Sequence, residues 1–177
     1  MILIIDNGLG KDLTKMFRQA ELASPHDAKK RLTKADAVVF SDCSKPDSSL
    51  ESHNKAIVEE LEIPAIGVGF GAEVMAKTFD CAVSEKASKS SRPLTVKCHS
   101  PLLLGLKKRF IVSGGNGRAV KKLAEDFEEI ATSPSGVEIF QHIEFPLFGI
   151  SFSPDSEEGT KMLENFASFV ETWKKYH

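Results

Sequence analysis

The chain has 177 residues, 41% of them hydrophobic, with 23 basic and 25 acidic side chains and a formal charge of −2; this length is enough to bury a three-layer core in one domain over residues 1–177. Such a balance argues against nucleic acid or a membrane surface as a partner. No apolar run approaches the roughly 20 residues of a membrane span, and Asp6 and Asn7 cut Met1 to Ile5 far short of a signal-peptide core, so a cytoplasmic protein is expected.

Ile2 to Ile5 is a continuous apolar run closed by Asp6-Asn7-Gly8, the pattern of a strand buried on both faces of a parallel sheet. Leu13, Met16, Phe17 and Ala20 recur at helical spacing and predict a helix over Asp12 to Ala20, with a short strand at Glu21 to Ala23. Pro25 to Leu32 reads as a short helix, and Ala37 to Phe40 as a second buried strand that ends in the polar loop Ser41 to Asp47. That loop lies at a carboxyl strand end, where open α/β sheets bind ligands. Ser49 to Leu61 reads as a helix that buries Leu50, Ile57, Val58 and Leu61. Three strand-helix units in succession predict a parallel, doubly wound sheet.

Pro64 to Glu73 is the hub: an apolar strand passes through glycines straight into a helix, which continues as Ala72 to Phe79. Glycines at alternate positions suit a sharp turn at a strand's carboxyl end and close packing of helix on sheet. This is the pattern of a nucleophile elbow, whose apex carries Ser or Cys in an enzyme. Here the apex is Gly69, which has no side chain.

Ser84 to Arg92 is polar and lysine-rich, and Pro93 to Lys97 alternates like a half-exposed strand. Ser100-Pro101 is a helix-start pair ahead of Leu102 to Leu106, and Arg109 to Ser113 is a strand that runs into Gly114-Gly115-Asn116-Gly117. Those glycines read as a turn; they lack the Lys and Ser/Thr that follow in a phosphate-binding loop. Val137 to His142 and Leu147 to Phe152 predict an antiparallel hairpin added to the sheet, and Glu157 to Trp173 a long amphipathic helix that closes the domain. Cys43, Cys81 and Cys98 are odd in number and have no metal-ligand spacing, so free thiols are expected, with no metal or other cofactor.

An opening strand that ends in Asp-Asn-Gly, a strand that ends in Phe-Ser before a loop, the glycine-rich elbow and a late Phe-x-Pro-acid together resemble the class I glutamine amidotransferases. Among these the likeness is greatest to the separate glutaminase subunit of archaeal-type GMP synthases. The resemblance covers nearly the whole chain and implies a flavodoxin-like three-layer α/β sandwich, mostly parallel, with a C-terminal antiparallel hairpin extension. It also implies glutamine hydrolysis and a synthetase-type partner.

The motifs that carry the family's chemistry differ here. Its elbow reads Gly-x-Cys-x-Gly-His-Gln, against Gly67-Val68-Gly69-Phe70-Gly71-Ala72-Glu73, so Gly69 stands at the nucleophile and Glu73 at the glutamine. Its Phe-His-Pro-Glu corresponds to Phe152-Ser153-Pro154-Asp155, with Ser153 at the general base and Asp155 at the residue that orients it. Its Ser-Gly-Gly-Pro oxyanion loop corresponds to Ser41-Asp42-Cys43-Ser44, and its Ser-His-x-Asp segment falls near Ser113 to Arg118, where there is no histidine. Nucleophile and base act as a unit, so their joint loss implies loss of the covalent chemistry.

The leading expectation is therefore a binding or regulatory subunit without glutaminase activity. Its pocket would consist of Ser41, Asp42, Cys43, Phe70, Gly71 and Glu73, and would take a partner's side chain or a small anionic ligand at the Phe70 and Gly71 amides. Two alternatives stand beside it: a glutaminase-type subunit of a GMP synthase-like complex, and an enzyme with a relocated nucleophile such as Cys43, with His142 as its partner. Ser153-Pro154 also reads as a helix cap with a first-turn proline, and Asp155 with Glu158 as a capping box.

Overall fold

The computed structural model describes residues 1–85 and 90–177. The middle of the lysine-rich stretch of 84–92 thus lies outside the described residues. Strand β1 (Ile2–Ile5) pairs in parallel with β2 (Ala20–Ala23) on one side and β3 (Ala37–Phe40) on the other, and β4 (Ala65–Val68) extends the parallel set beside β3. Helices α1 (Pro25–Leu32), α2 (Ser48–Val58) and α3 (Phe70–Thr78) cover one face, and α4 (Glu157–Tyr176) covers the other.

The continuous apolar runs have a direct cause in this layering, because successive side chains on a strand point to opposite faces. Leu3 and Ile5 meet Ala28, Ile57 and Met75 on the first face, while Ile2 and Ile4 share the second core with Met162, Leu163, Phe166 and Val170. Ser24, Asp47 and Ser156 cap α1, α2 and α4, each accepting from the backbone N–H three residues on. The expected α/β sandwich is the observed fold.

Several elements differ from the sequence reading. The helix expected over Asp12 to Ala20 is one 3-10 turn, Leu13–Met16. Leu13 and Phe17 both reach the core from that turn, and Ala20 must already be extended to pair with Ile2. Ser100 caps only a second such turn, Pro101–Leu103, because Asn165 of α4 donates to the carbonyls of Leu102 and Leu104 at 2.8 Å each and the chain then turns away.

The hairpin of β10 (Gly136–His142) and β11 (Leu147–Ile150) is antiparallel, and β11 is inserted beside β4 rather than at an edge. Further antiparallel strands extend that half: β5 (Ala82–Ser84), β6 (Arg92–Val96), β7 (Arg109–Val112), β8 (Ala119–Lys122) and β9 (Phe127–Ser133). The main path runs β2-β1-β3-β4-β11-β10-β9-β6-β7, with β8 on β10 and β5 on β8. Strands β8 and β9 escape pattern reading because Lys121, Lys122, Glu128 and Glu129 crowd them, and register shifts around Ile139 break strict alternation.

Candidate functional site

The parallel strands β1, β3, β4 and β11 all end on one side of the sheet, and the loops that leave them converge on Gly69. This residue links β4 to α3 with φ 52° and ψ −109°, a left-handed conformation that L side chains rarely adopt. Its N–H donates to Ile150 at the end of β11, and its carbonyl accepts the first helical bond, from Glu73. The elbow is therefore built as the glycine spacing predicts.

What fills the space above it is Asp42. A Cβ built on Gly69 would come within 2.5 Å of three atoms of the Asp42 carboxyl group. Asp42 Oδ1 accepts from the Phe70 N–H at 2.8 Å and from the Cys43 N–H at 2.8 Å. In an acyl-transfer elbow the N–H that follows the nucleophile, together with an amide from a neighbouring loop, holds the developing oxyanion. Here the amides in those places hold a carboxylate of the chain itself. The open anion site expected at Phe70 and Gly71 is thus corrected: the Phe70 amide is occupied, the Phe70 side chain is fully buried with Cys43 and Val74, and Gly71 is buried against Phe40 of β3.

The loop that carries Asp42 is fastened from behind. Ser41 Oγ accepts from the Asn7 N–H at 2.9 Å, Asn7 Nδ2 donates to the Ser41 carbonyl at 2.8 Å, and Asn54 Nδ2 donates to Asn7 Oδ1 at 2.8 Å. Ser41, Asn7 and Asn54 are all buried, so Ser41 acts as a strut and does not face a pocket. Sequence reasoning used Asn7 only as a landmark; the available signal was a polar pair at the ends of two adjacent apolar strands.

Glu73, expected among the pocket residues, is 3% exposed and ringed by donors. Lys77 Nζ lies at 2.8 Å, Arg118 Nη1 at 2.5 Å and Asn116 Nδ2 at 2.5 Å. The Glu73 carboxylate raises the Arg118 pKa; burial opposes the charge of Lys77, but its bonds to Glu73 and Glu51 more than offset this, so its pKa also rises. The glycine turn from Ser113 to Arg118 spans the site: Ser153 N–H donates to the Ser113 carbonyl, and a Cβ on Gly114 would sit 2.6 Å from that of Ser153. One end of the turn rests on Ser153 and the other is tied beside the elbow. Neither Asn116 nor Arg118 was singled out from sequence, since a polar side chain after a glycine turn ordinarily points to water.

Ser153 and Asp155 are brought together, with Ser153 Oγ donating to Asp155 Oδ2 at 2.5 Å. Their reading as a helix cap is corrected, because the cap of α4 is Ser156 and Pro154 precedes it. Cys43 and His142 are not brought together. His142 follows Gln141, which pairs with Phe148 near the start of β11, and thus lies at the amino end of the parallel strands, packed among Phe79, Phe127 and Phe145. Burial foremost, then Asp42 and Asp47, pushes the Cys43 thiol up, the opposite of activation. No His, Cys, Asp or Glu cluster fit for a metal ion occurs among the described residues, and no helix among them is long and apolar enough to cross a membrane.

The family model for class I glutamine amidotransferases matches residues 3–172. The chain belongs to this family. It is similar over 94% of its length to a subunit of the glutamine-hydrolyzing GMP synthase of Methanopyrus kandleri, at 30% identity and with 97% of that chain covered. The corresponding subunit from Pyrococcus furiosus is 29% identical with the same coverage. Among solved structures, a Thermoplasma acidophilum protein described as a GMP synthase subunit superposes with a TM-score of 0.89 at 18% identity, over 99% of this chain and 96% of that one. A glutamine amidotransferase of Thermotoga maritima gives 0.71 at 16% identity, over 98% and 84%. These two structures show the shared fold. In this member of the family, then, Gly69 occupies the elbow apex, Ser153 and Asp155 follow the last core strand, and the loop after β3 contributes Asp42.

Proposed function

We propose that this class I amidotransferase does not hydrolyse glutamine and acts as a binding or regulatory subunit that docks on a synthetase-type partner. The observation that carries the reading is the Asp42 carboxylate over Gly69. The position that the family motif gives to cysteine offers no atom to attack with, and the amides that would stabilise a tetrahedral intermediate are already engaged. Ser153, at the base position, is bonded to Asp155 and has no imidazole to take up a proton.

The partner class follows from the relatives, which are named as one subunit of a GMP synthase and match this chain nearly end to end. A small anion as the main ligand is the weaker reading, because the Phe70 amide is used by Asp42 while Arg118 and Lys77 are used by Glu73. The test is ammonia release from glutamine by the purified chain, alone and with a GMP synthase-type synthetase subunit, beside capture of that subunit on immobilised chain. The reading expects saturable capture and no turnover above a heat-killed control. Turnover near the common enzyme range of about 1 per second or more would overturn it.

A further inference from the structure

We propose that the elbow is an anion hole whose resident ligand is the chain's own Asp42 carboxylate, and that the hole takes up a small free monocarboxylate once that side chain is removed. The proposal rests on the reading of the site as catalytically silent, but it is tested through stability rather than turnover.

The hole is assembled from two separate elements. The Phe70 N–H heads α3 and the Cys43 N–H belongs to the loop after β3, and both reach the same oxygen at 2.8 Å. That distance is typical of charge-assisted bonds, and the head of a helix favours negative charge there. The elements that carry the donors have anchors besides Asp42. Phe70 is anchored by its fully buried ring, and the loop is pinned by the bonds between Ser41 and Asn7. Emptying the hole therefore leaves two aligned donors behind. The nearby Glu73 carboxylate does not oppose a new anion strongly, since Lys77 and Arg118 are paired with it.

An independent steric observation points the same way. The volume that a side chain at position 69 would need is the volume of the Asp42 carboxyl group. The Asp42 carboxylate in this pose and a side chain at position 69 therefore exclude one another: with the carboxylate on the two amides, position 69 must be glycine, and a side chain at 69 requires that Asp42 swing away. The ligand class follows from the fit, because the cavity left by Asp42→Ala has the size of one carboxylate bonded through one oxygen. Formate and acetate are the natural probes.

The experiment is a set of thermal melts on wild type, Asp42→Ala, Gly69→Ala and the double variant, in chloride and in formate or acetate at matched ionic strength. Asp42→Ala should lower Tm by roughly 5 °C or more, the loss expected for bonds to a charged group in a chain of this size. Formate should restore much of that loss saturably in Asp42→Ala and leave wild type unmoved. Gly69→Ala should cost several degrees less in the Asp42→Ala background than in wild type, a cycle in which the backbone strain of residue 69 cancels.

No formate effect on Asp42→Ala, an equal effect on wild type, or an additive cycle would each overturn the proposal. Should Asp42→Ala not fold, Asp42→Asn serves instead, since it keeps an acceptor oxygen but not the charge. The Phe70 and Cys43 amides should then exchange hydrogen about tenfold faster than in wild type, and unchanged rates would overturn the proposal equally.

Discussion

Arg118 Nη1 donates to the buried Glu73 carboxylate at 2.5 Å, so the glycine turn that rests on Ser153 at one end is tied to the elbow helix at the other. Arg118→Ala should loosen that end, which Asn116 alone would then tie to Glu73, and leave Glu73 with Lys77 and Asn116 as its partners. The expected loss is about 1 to 3 kcal/mol, the cost of removing one partner from a charged hydrogen bond. Urea denaturation measures the loss, and hydrogen exchange localises it to residues 113–118. A loss spread evenly over α3 and the sheet would mean that the turn is not separately tethered.

Gly69→Cys should restore no glutaminase activity and should destabilise the fold. The new side chain meets the Asp42 carboxyl group, and a β-carbon at φ 52° adds backbone strain of roughly 1 to 3 kcal/mol. Ammonia release and the denaturant midpoint are the two readouts. An unchanged midpoint would show that the apex is neither strained nor crowded.

Thiol labelling under native conditions should follow exposure and not proximity to the elbow. Cys43 and Cys81 are buried, Cys98 is half-exposed, and loss of hydration is the leading cause that pushes the pKa of all three up. Iodoacetamide should therefore modify Cys98 first, with Cys43 protected until the chain unfolds. Rapid alkylation of Cys43 near neutral pH would revive the idea of a relocated nucleophile.

His142 predicts a pH dependence. Its Nδ1 accepts from the Glu144 and Phe145 N–H groups at 3.1 Å each, and burial foremost lowers its pKa from the ordinary 6.5. Folding thus favours the neutral ring, and the unfolded chain binds the extra proton. The stability it contributes is present above pH 6.5 and is lost as pH falls through the lower folded value. His142→Gln keeps an acceptor without titrating, so its Tm should fall less than that of wild type between pH 7.5 and 5. Parallel profiles for the two proteins would remove His142 as the cause.

The parallel half of the sheet was legible in the chain because its strands are buried on both faces and leave uninterrupted runs such as Ile2 to Ile5 and Ala37 to Phe40. The elbow was legible because strand, glycines and helix are contiguous. The glycine at position 69 and the serine at position 153 are likewise a matter of residue identity. The roles of Asp42, Glu73 and Arg118 were not legible, since each is set by a neighbour distant in sequence: Asp42 lies over residue 69, and Arg118 bonds to residue 73. Asp42 alone reads as one more polar loop residue, and Glu73 as a helix-start carboxylate. Local sequence determines where the chain can bend and which faces are apolar, by sterics and periodicity. Whether a carboxylate faces water, plugs a pair of amides or is buried among cations depends on which loops the sheet order brings to one edge, and only the tertiary structure decided that.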